Sequence, residues 1–245
     1  MPEGPSIVIL KELVQEFNAK KIIEATGNAK IDKHLLVNRK IVDFKSWGKH
    51  FLICLPSLTI KIHFLLFGTY SINEQTKPAK SLRLQLRFKK GALYFYTCAV
   101  SIITDNLDEL YDWSADVMNE KWDPAKALQK LQNIPGTLAC DALLNQDIFG
   151  GVGNIIKNEV LFRVKIHPES LVGKIPSQKL KMLIKEAKNY SYDFLKWKKA
   201  FELKKHWLAH TKKICIRCGI PLLKKYLGVN KRRSFFCNNC QKLYD

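Results

Sequence analysis

Long apolar runs are missing from this sequence of 245 residues. No stretch approaches the roughly 18 apolar residues that a membrane-spanning helix requires, so we expect no membrane partner. A secretory signal is also missing, because Glu3 and Glu12 interrupt the first residues and no small-residue cleavage site follows. Hydrophobic residues make up 47% of the chain and charged residues 26%. This composition excludes a disordered chain and fits one large domain or two to three small ones.

Acidic residues are scarce, above all toward the C-terminus. The chain has 41 Lys and Arg against 22 Asp and Glu, which gives a formal net charge of +19. Residues 174–245 contain 19 of the basic residues and only four of the acidic ones. The imbalance favours a polyanionic partner, first of all nucleic acid, because neutralising phosphates releases counterions. A solvated lysine-rich surface explains the charge equally well, so charge alone does not decide.

Cysteine is uncommon outside two pairs near the C-terminus. An odd total of seven, without a secretory signal, indicates a reducing intracellular compartment, the cytoplasm or nucleoid if the source is bacterial. Cys54, Cys98 and Cys140 are isolated in apolar surroundings and are predicted to be small core residues.

The two Cys-x-x-Cys pairs are separated by eighteen residues and consist of Cys215, Cys218, Cys237 and Cys240. Two turns that each present two thiolates complete a tetrahedral zinc site, and four thiolates leave no open position for water. We therefore predict one structural Zn²⁺ per chain, which replaces the core that so short a segment cannot form. The alternative is two unrelated pairs of turn cysteines. Basic residues between the pairs suit a hairpin that meets a phosphate backbone.

Apolar periodicity divides the rest of the chain into a β-rich part and a helical part. Helical spacing over residues 6–17 predicts a leading helix. Alternation then predicts strands over residues 41–47, 51–55, 59–64, 82–88, 92–97 and 101–104, which is typical of an antiparallel sandwich. After about residue 105 we predict helices over residues 125–133 (capped by Asp123), 138–145 (capped by Thr137), 154–162 and 177–195 (capped by Ser177). The fold class is therefore α+β with several domains.

Two further motifs are weak when each is taken alone. The glycines of the loop 150–153 and the amides of the helix that begins at Asn154 suit a phosphate, with Asn154 as cap and donor, although a glycine-rich connector is the commoner explanation. The chain starts Met1-Pro2-Glu3-Gly4-Pro5. Removal of Met1 is expected and exposes a secondary amine on Pro2. An α-amino group has a pKa of about 7.7–8.0, so a sizeable fraction is neutral and nucleophilic. A rigid chain start explains the motif as well.

The start motif, the segment 144–162 and the four-cysteine tail, in this order, resemble the formamidopyrimidine-DNA glycosylase and endonuclease VIII family. The resemblance covers essentially the whole chain, and the start is more similar to the endonuclease VIII branch. It implies a β-sandwich catalytic domain over residues 1–112, a helix–two-turn–helix DNA-binding domain over residues 113–211 and a zinc-finger hairpin over residues 212–245. It also implies a monomeric glycosylase and lyase of base-excision repair that acts on damaged double-stranded DNA.

The resemblance also implies roles for individual residues. Pro2 is the nucleophile that displaces the damaged base and holds the sugar as a Schiff base, and Glu3 is the acid and base at the sugar. Lys49, in a turn between two strands, contacts phosphate and assists catalysis. Elimination then cuts the strand on both sides of the vacant sugar. Asn154 matches the phosphate-binding asparagine, and Arg232 matches the arginine at the hairpin tip, with Arg233 as a possible substitute.

An enzyme of this kind must extrude the damaged base and fill the gap with an apolar wedge. The resemblance assigns the wedge to Leu66, flanked by Leu65 and Phe67, although a buried strand end is the alternative and is preferred for Phe64. His63, on the same strand, is interpreted as structural. Endonuclease VIII relatives commonly have Gln where Leu65 stands, which puts discrimination of the opposite base in doubt. A second departure, Ser-Ala-Asp at residues 114–116 in place of Gly-Pro-Asp, affects the domain junction and not the chemistry.

Three functions remain open at this point. The first is removal of oxidised pyrimidines, and the second is the same chemistry on oxidised purines such as 8-oxoguanine or formamidopyrimidines. The third is a non-catalytic protein that binds damaged DNA, which ranks below the enzymes because Pro2 and Glu3 are both present. The base-reading loop is expected within residues 167–213, where the polar stretch 169–176 does not identify a lesion.

Overall fold

The computed structural model describes residues 2–245, which form two compact units that meet in the chain between Tyr111 and Asp112. Two helices lie in the first unit, α1 (Gly4–Leu13) and α2 (Leu107–Leu110). Its eight strands are β1 (Glu24–Thr26), β2 (Asp43–Trp47), β3 (His50–Leu55), β4 (Leu58–His63), β5 (Thr69–Ile72), β6 (Leu82–Arg87), β7 (Ala92–Tyr96) and β8 (Ala99–Ile103).

The strands of the first unit form two antiparallel sheets of four strands each. One sheet has the order β1-β6-β7-β5 and the other the order β2-β3-β4-β8. Large apolar side chains from both sheets, including Phe51, Ile60, Leu84 and Phe95, are at most 1% exposed and form a single core cluster. This arrangement confirms the antiparallel sandwich that the alternating pattern predicted.

Helix α1 covers part of this core because its apolar residues return at helical spacing. Ile7 and Leu10 are at most 1% exposed and belong to the sandwich cluster, and the helix packs against β2 and β3. Pro5, in the first turn, suits the start of a helix because its missing N–H would have no partner there. The predicted leading helix is confirmed, with a short 3₁₀ turn at Gln15–Phe17 after it.

All six predicted strands are present, but β1 and β5 were not predicted. Every residue of these two short strands is half-buried, so neither has the alternation of buried and exposed side chains on which the prediction relied. Of the three isolated cysteines, Cys98 and Cys140 are buried as predicted, whereas Cys54 is half-buried.

The second unit contains four helices and one hairpin. The helices are α3 (Pro124–Gln132), α4 (Ala139–Ala142), α5 (Asn154–Val164) and α6 (Ser177–Lys199). The hairpin consists of β9 (Leu223–Leu227) and β10 (Arg232–Phe236), which pair antiparallel. Helix α5 lies against α6 and β10, and α6 also packs on α3. This confirms a helical part followed by a cysteine-bearing hairpin. The boundary between those two at residue 212 stays a prediction.

The helix starts in this unit were predicted with mixed success. The Asp123 carboxylate accepts hydrogen bonds from the amides of Ala125 and Lys126, as an N-cap does. The predicted caps Thr137 and Ser177 were wrong, because Leu138 and Pro176 occupy the N-cap positions and neither helix has a side-chain cap bond. Helix α4 is also shorter than predicted. None of the helices among residues 2–245 combines the length and apolarity needed to cross a bilayer.

Candidate active site and nucleic-acid interface

The chain start forms one part of the candidate site. Pro2 is half-buried and Glu3 is 0% exposed, immediately before α1. The backbone of Glu3 is extended, and its carbonyl accepts a hydrogen bond from the Ser6 amide at 2.8 Å, which begins the helix. Glutamate is almost never fully buried unless it has a partner, because an isolated carboxylate loses its hydration. The fold therefore holds a carboxyl group in a protected position next to the predicted nucleophile.

The turn that carries Lys49 joins β2 to β3, the two strands on which α1 packs. Gly48 has a φ of 53°, which a glycine adopts without strain. Lys49 is half-buried and lies close enough to His50 and His63 for its charge to lower the pKa of both rings. Lys49 is therefore placed by the same two strands that support the helix following Glu3.

His50 and His63 face each other across β3 and β4, with ring centroids 5.3 Å apart. The His50 Nδ1 lies 3.1 Å from the hydroxyl oxygen of Tyr111. Burial, followed by the positive charges of His63, Lys61 and Lys49, lowers the pKa of His50 to about 4. Burial likewise lowers the pKa of His63. Both rings are thus neutral at physiological pH, and the structural interpretation of His63 stays a prediction.

The predicted wedge residues occupy an exposed turn after β4. Leu65 is 51% exposed, Leu66 47% and Phe67 78%, whereas Phe64 is 3% exposed and belongs to the core, as preferred from the sequence. The turn closes through a hydrogen bond from the Gly68 amide to the Phe64 carbonyl at 2.7 Å. A Cβ atom at Gly68 would meet that carbonyl, so the turn requires glycine. Three adjacent exposed apolar side chains are unusual on a protein surface and indicate a contact site. The wedge role stays a prediction.

In the second unit, Asn154 is the first residue of α5 and is 9% exposed. The predicted capping role was wrong, since Gly153 is the N-cap and no side chain caps the helix. The Oδ1 atom of Asn154 is buried and has no hydrogen-bond partner in the part of the chain that the structure describes. Rotation of the amide by 180° exchanges its oxygen and nitrogen, so the same position offers an N–H donor to an anion. A buried amide group whose oxygen has no partner, at a helix N-terminus, is consistent with phosphate binding.

The loop before α5 is fixed by the chain at residues 115–117. The Gly150 amide donates to the Ala115 carbonyl at 2.7 Å, and the Val117 amide donates to the Gly150 carbonyl at 3.2 Å. Asp116, between them, is 3% exposed and accepts a hydrogen bond from the Met118 amide. The stretch in which this sequence departs from the family's Gly-Pro-Asp is therefore well anchored within the second unit.

Three consecutive polar residues of α5 are buried, and each binds a later part of the chain. The Lys157 Nζ donates to the Arg233 carbonyl at 3.1 Å and to the Ser234 hydroxyl at 2.7 Å. The Asn158 side chain bonds to that same carbonyl and to the Phe235 amide. The Glu159 carboxylate accepts three backbone hydrogen bonds, from residues 208, 209 and 210. The contacts of Lys157 and Asn158 fasten the helix of Asn154 to the strand that carries the predicted arginines, whereas those of Glu159 hold the chain at residues 208–210.

The hairpin presents Arg232 half-buried and Arg233 exposed, at the start of β10. Its tip rests on α4, because the Val229 amide donates to the Asp141 carboxylate at 3.1 Å. Gly228 has a φ of 76°, and a Cβ atom there would collide with Asp141. A glycine at this position is thus needed both for the turn and for close contact with the helix.

The four paired cysteines, two before the hairpin in the sequence and two after it, lie close together. Their sulfur atoms all lie within 4.8 Å of one another, and the sulfurs of Cys215 and Cys240 are 3.8 Å apart. Tetrahedral coordination with Zn–S bonds of about 2.3 Å separates the sulfurs by about 3.8 Å. Burial raises the pKa of the Cys215 thiol, but backbone amides of Arg217 and Cys218 outweigh it and lower the pKa to about 7. The cluster can bind a metal ion, and its all-thiolate donor set fits zinc.

Sequence reasoning missed the polar residues at positions 157–159 and the contact of Asp141. The apolar residues of α5 surround the helix almost completely, so periodicity gives no preferred face for its polar residues. The one available signal was the run Lys-Asn-Glu inside an otherwise apolar helix. The partners lie about fifty to ninety residues away, which no local pattern identifies.

A β-sandwich with Pro2 and Glu3 before its first helix, followed by a helical unit with a four-cysteine hairpin, is the fold of solved DNA glycosylase structures to which this chain is similar. The formamidopyrimidine-DNA glycosylase N-terminal domain model matches residues 1–99, and the H2TH domain model of the same enzymes matches residues 114–200. The chain therefore belongs to the formamidopyrimidine-DNA glycosylase and endonuclease VIII family.

Individual relatives support this assignment. Endonuclease 8-like 3 of Xenopus laevis is 28% identical over 237 residues, which cover 91% of this chain and 38% of the relative. Formamidopyrimidine-DNA glycosylase of Mycoplasma genitalium is 27% identical over 99% of this chain and 96% of its own length. The Lactococcus lactis formamidopyrimidine-DNA glycosylase, crystallised with DNA containing an abasic site, has a TM-score of 0.85 at 21% identity and covers 98% of this chain and 99% of its own. The chain spans only about a third of the length of the first curated relatives it matches.

Proposed function

We propose that this protein is a bifunctional DNA glycosylase and abasic-site lyase of base-excision repair. The observation that carries the proposal is the wholly buried Glu3 carboxyl next to Pro2, at the start of a sandwich of this family. A buried acid beside a secondary amine supplies both a nucleophile and a proton donor. The proposal requires removal of Met1, because the nitrogen of Pro2 has no available lone pair while it is part of an amide.

The reaction begins when the Pro2 nitrogen attacks C1′ of the damaged nucleotide. The C1′–N bond breaks and the base leaves with the bonding electrons, taking up the proton that the Pro2 nitrogen loses. Glu3 then protonates the ring oxygen as the C1′–O bond breaks and the sugar opens to an iminium. Loss of a proton from C2′ expels the 3′ phosphate, and a second elimination expels the 5′ phosphate. Lys49 contacts a phosphate beside this centre. We propose this β,δ-elimination as the course of strand cleavage.

We propose damaged double-stranded DNA as the substrate and a monomer as the active form. The net charge of +19 and the unpartnered amide oxygen of Asn154 support a phosphate-binding role. Asn154 and Arg232, with Arg233 beside it, hold the backbone. Leu66, between Leu65 and Phe67, enters the stack where the base has left. A relative of the same fold bound to abasic-site DNA is consistent with this assignment.

For the metal, we propose one structural Zn²⁺ held by Cys215, Cys218, Cys237 and Cys240. The donor set has four thiolates and no open coordination position, so the ion would organise the hairpin and take no part in the reaction. Four reduced thiols require a reducing compartment, and we accordingly propose that the protein acts inside the cell.

For the lesion, we propose oxidised pyrimidines as the preferred bases. The similarity to endonuclease 8-like relatives supports this choice. Oxidised purines are the second candidate, because the Mycoplasma genitalium formamidopyrimidine-DNA glycosylase matches nearly the whole chain. Relative cutting of dihydrouracil and 8-oxoguanine duplexes ranks the two.

The test is borohydride trapping on duplexes that contain dihydrouracil, 8-oxoguanine or an abasic site. We expect a covalent complex with abasic DNA, located by mass spectrometry on the peptide that starts at Pro2 and lost in Pro2→Gly. Glu3→Gln is expected to lower base removal at least 100-fold, while a change at Glu12, an exposed acid on the helix that follows Glu3, serves as the matched control (Glu12→Gln). Absence of trapping with every duplex would refute the enzyme and leave a non-catalytic protein.

A further inference from the structure

We infer that Lys157 is a positioning residue for DNA binding, which sets the hairpin-tip arginines at a fixed place relative to Asn154. The inference rests on the proposed function, because it assumes that these residues contact phosphate. Lys157 itself is 0% exposed and cannot reach DNA.

The Lys157 ammonium is hydrogen-bonded to the hairpin strand β10. It comes one turn after Asn154 on α5, and it donates hydrogen bonds to the Arg233 carbonyl and the Ser234 hydroxyl. Asn158 donates to the same carbonyl at 3.3 Å. The backbone of Arg233 is thus held by two donors from the helix that begins with the phosphate-binding asparagine.

The other end of the hairpin tip is also fixed, by a hydrogen bond to α4. Asp141 on α4 accepts from the Val229 amide, and Gly228 allows the close approach. The strand and the turn that flank Arg232 are therefore fixed from two sides. Two phosphate-binding groups at a fixed separation lose little freedom when they bind a backbone, which raises affinity.

Burial of the Lys157 ammonium is unfavourable in free energy. Burying an ammonium group loses its hydration, and an apolar residue of similar size is often as stable or more stable at such a position. Packing alone therefore does not explain Lys157. Its donors matter because they determine where the Arg233–Ser234 backbone lies.

The experiment is a double-mutant cycle on affinity for a duplex with a tetrahydrofuran abasic analogue at fixed salt. We expect Lys157→Met to weaken binding about tenfold, and to raise KM without lowering the rate of base removal at saturating DNA. In a background that carries Arg232→Ala and Arg233→Ala, the same change should weaken binding less than twofold, since there is no tip arginine left to position. In an Asn154→Ala background the loss should also shrink, since the second phosphate-binding group, relative to which the arginines are placed, is then missing.

Glu159→Gln is the matched control, because Glu159 is equally buried on α5 but bonds to residues 208–210 and not to the hairpin strand. Its effect on affinity should be the same with or without the tip arginines. If Lys157→Met fails to fold, Ser234→Ala can be used instead, because it removes the hydroxyl that accepts from Lys157 and changes the side-chain volume little. It should weaken DNA binding about threefold, again only when the arginines are present.

One contrary result is that Lys157→Met weakens affinity equally with and without the two tip arginines, and another is that it leaves the affinity of the otherwise wild-type protein unchanged. Either result would overturn the inference and leave the proposed function intact. Wild-type affinity in the variant without both arginines would instead contradict the proposed DNA contacts and the inference together. Borohydride trapping on abasic DNA tests the catalytic proposal independently of either result.

Discussion

Thirteen polar side chains are buried among residues 2–245, and their distribution differs sharply between the two units. Three lie in the first unit: Glu3, Ser6 and Thr59. Ten lie in the second, among them Lys157, Asn158 and Glu159 on a single helix. The sandwich thus depends on apolar packing, whereas the helical unit has, besides its own apolar core, hydrogen bonds that join its hairpin to its helices.

The contrast shows where each unit can tolerate change. Apolar packing is non-directional, so the sandwich accepts substitutions that preserve volume. Hydrogen bonds and metal ligands are directional and fail when one atom is removed. In the first unit a buried polar group is therefore an exception, and Glu3 stands out for that reason. In the second unit such groups are part of the framework, and burial alone does not mark a catalytic residue.

Metal removal is expected to have the largest effect, and to act on one unit only. A chelator that strips zinc should weaken DNA binding at least 100-fold, because the energy of a structural zinc site is the folding energy of its hairpin. Hydrogen exchange should accelerate in β9 and β10 while β3 and β4 keep their protection.

Cys140→Ala is the control for this experiment, since Cys140 is a buried thiol outside the cluster. Its zinc content and DNA affinity should match the wild type. If the strands of the sandwich lose protection together with the hairpin, the two units do not differ in the way proposed. Less than about half an equivalent of zinc in the native protein would contradict the metal site itself.

How much the sequence could predict follows the same division. Six of eight sandwich strands and the leading helix follow from the periodicity of their apolar residues, which is clearest in β6, where buried side chains alternate with more exposed ones. The two missed strands, β1 and β5, are half-buried throughout and have no alternation to detect. The four cysteines were found because their spacing is itself the signal of a metal site.

The framework of the second unit was not predictable from local patterns. The contact between Lys157 and Ser234 joins residues 77 positions apart, and nothing in either segment specifies the other. The predicted caps at Thr137 and Ser177 failed for a related reason, since a preferred residue type gives a propensity that the surrounding backbone overrides. Patterns identify elements, whereas polar contacts between distant elements require coordinates.

A pH titration gives the next largest effect and compares the units directly. His50 in the first unit and His210 in the second both have pKa values lowered to about 4, chiefly by burial. Because the unfolded rings, with a pKa near 6.5, bind protons that the folded rings do not, stability is complete above pH 6.5 and falls between pH 6.5 and 4. Each ring should account for up to about 3 kcal/mol of the loss.

Urea unfolding at pH 5 and pH 7 measures this dependence. His50→Gln and His210→Gln should each reduce the difference between the two pH values, and hydrogen exchange should locate the change in β3 and β4 for the first and in α5 and β10 for the second. His34, on the surface of the first unit, has no comparable burial, so His34→Gln should keep the wild-type dependence. An unchanged pH profile in both variants would show that burial of these rings does not limit stability in acid.

The smallest expected effect on stability belongs to Leu66, and it sharpens the account of the first unit. Leu84 is 0% exposed, and Leu84→Ala should cost about 2–5 kcal/mol of unfolding free energy. Leu66 is 47% exposed in its turn, so Leu66→Ala should change that free energy by less than about 0.5 kcal/mol. Release of a damaged base should nevertheless slow about tenfold, while cleavage at a preformed abasic site stays the same, because no base then has to be extruded. Equal slowing on both substrates would mean that Leu66 contributes to DNA binding in general. This exposed side chain of the sandwich would then have no separate role in extruding the base.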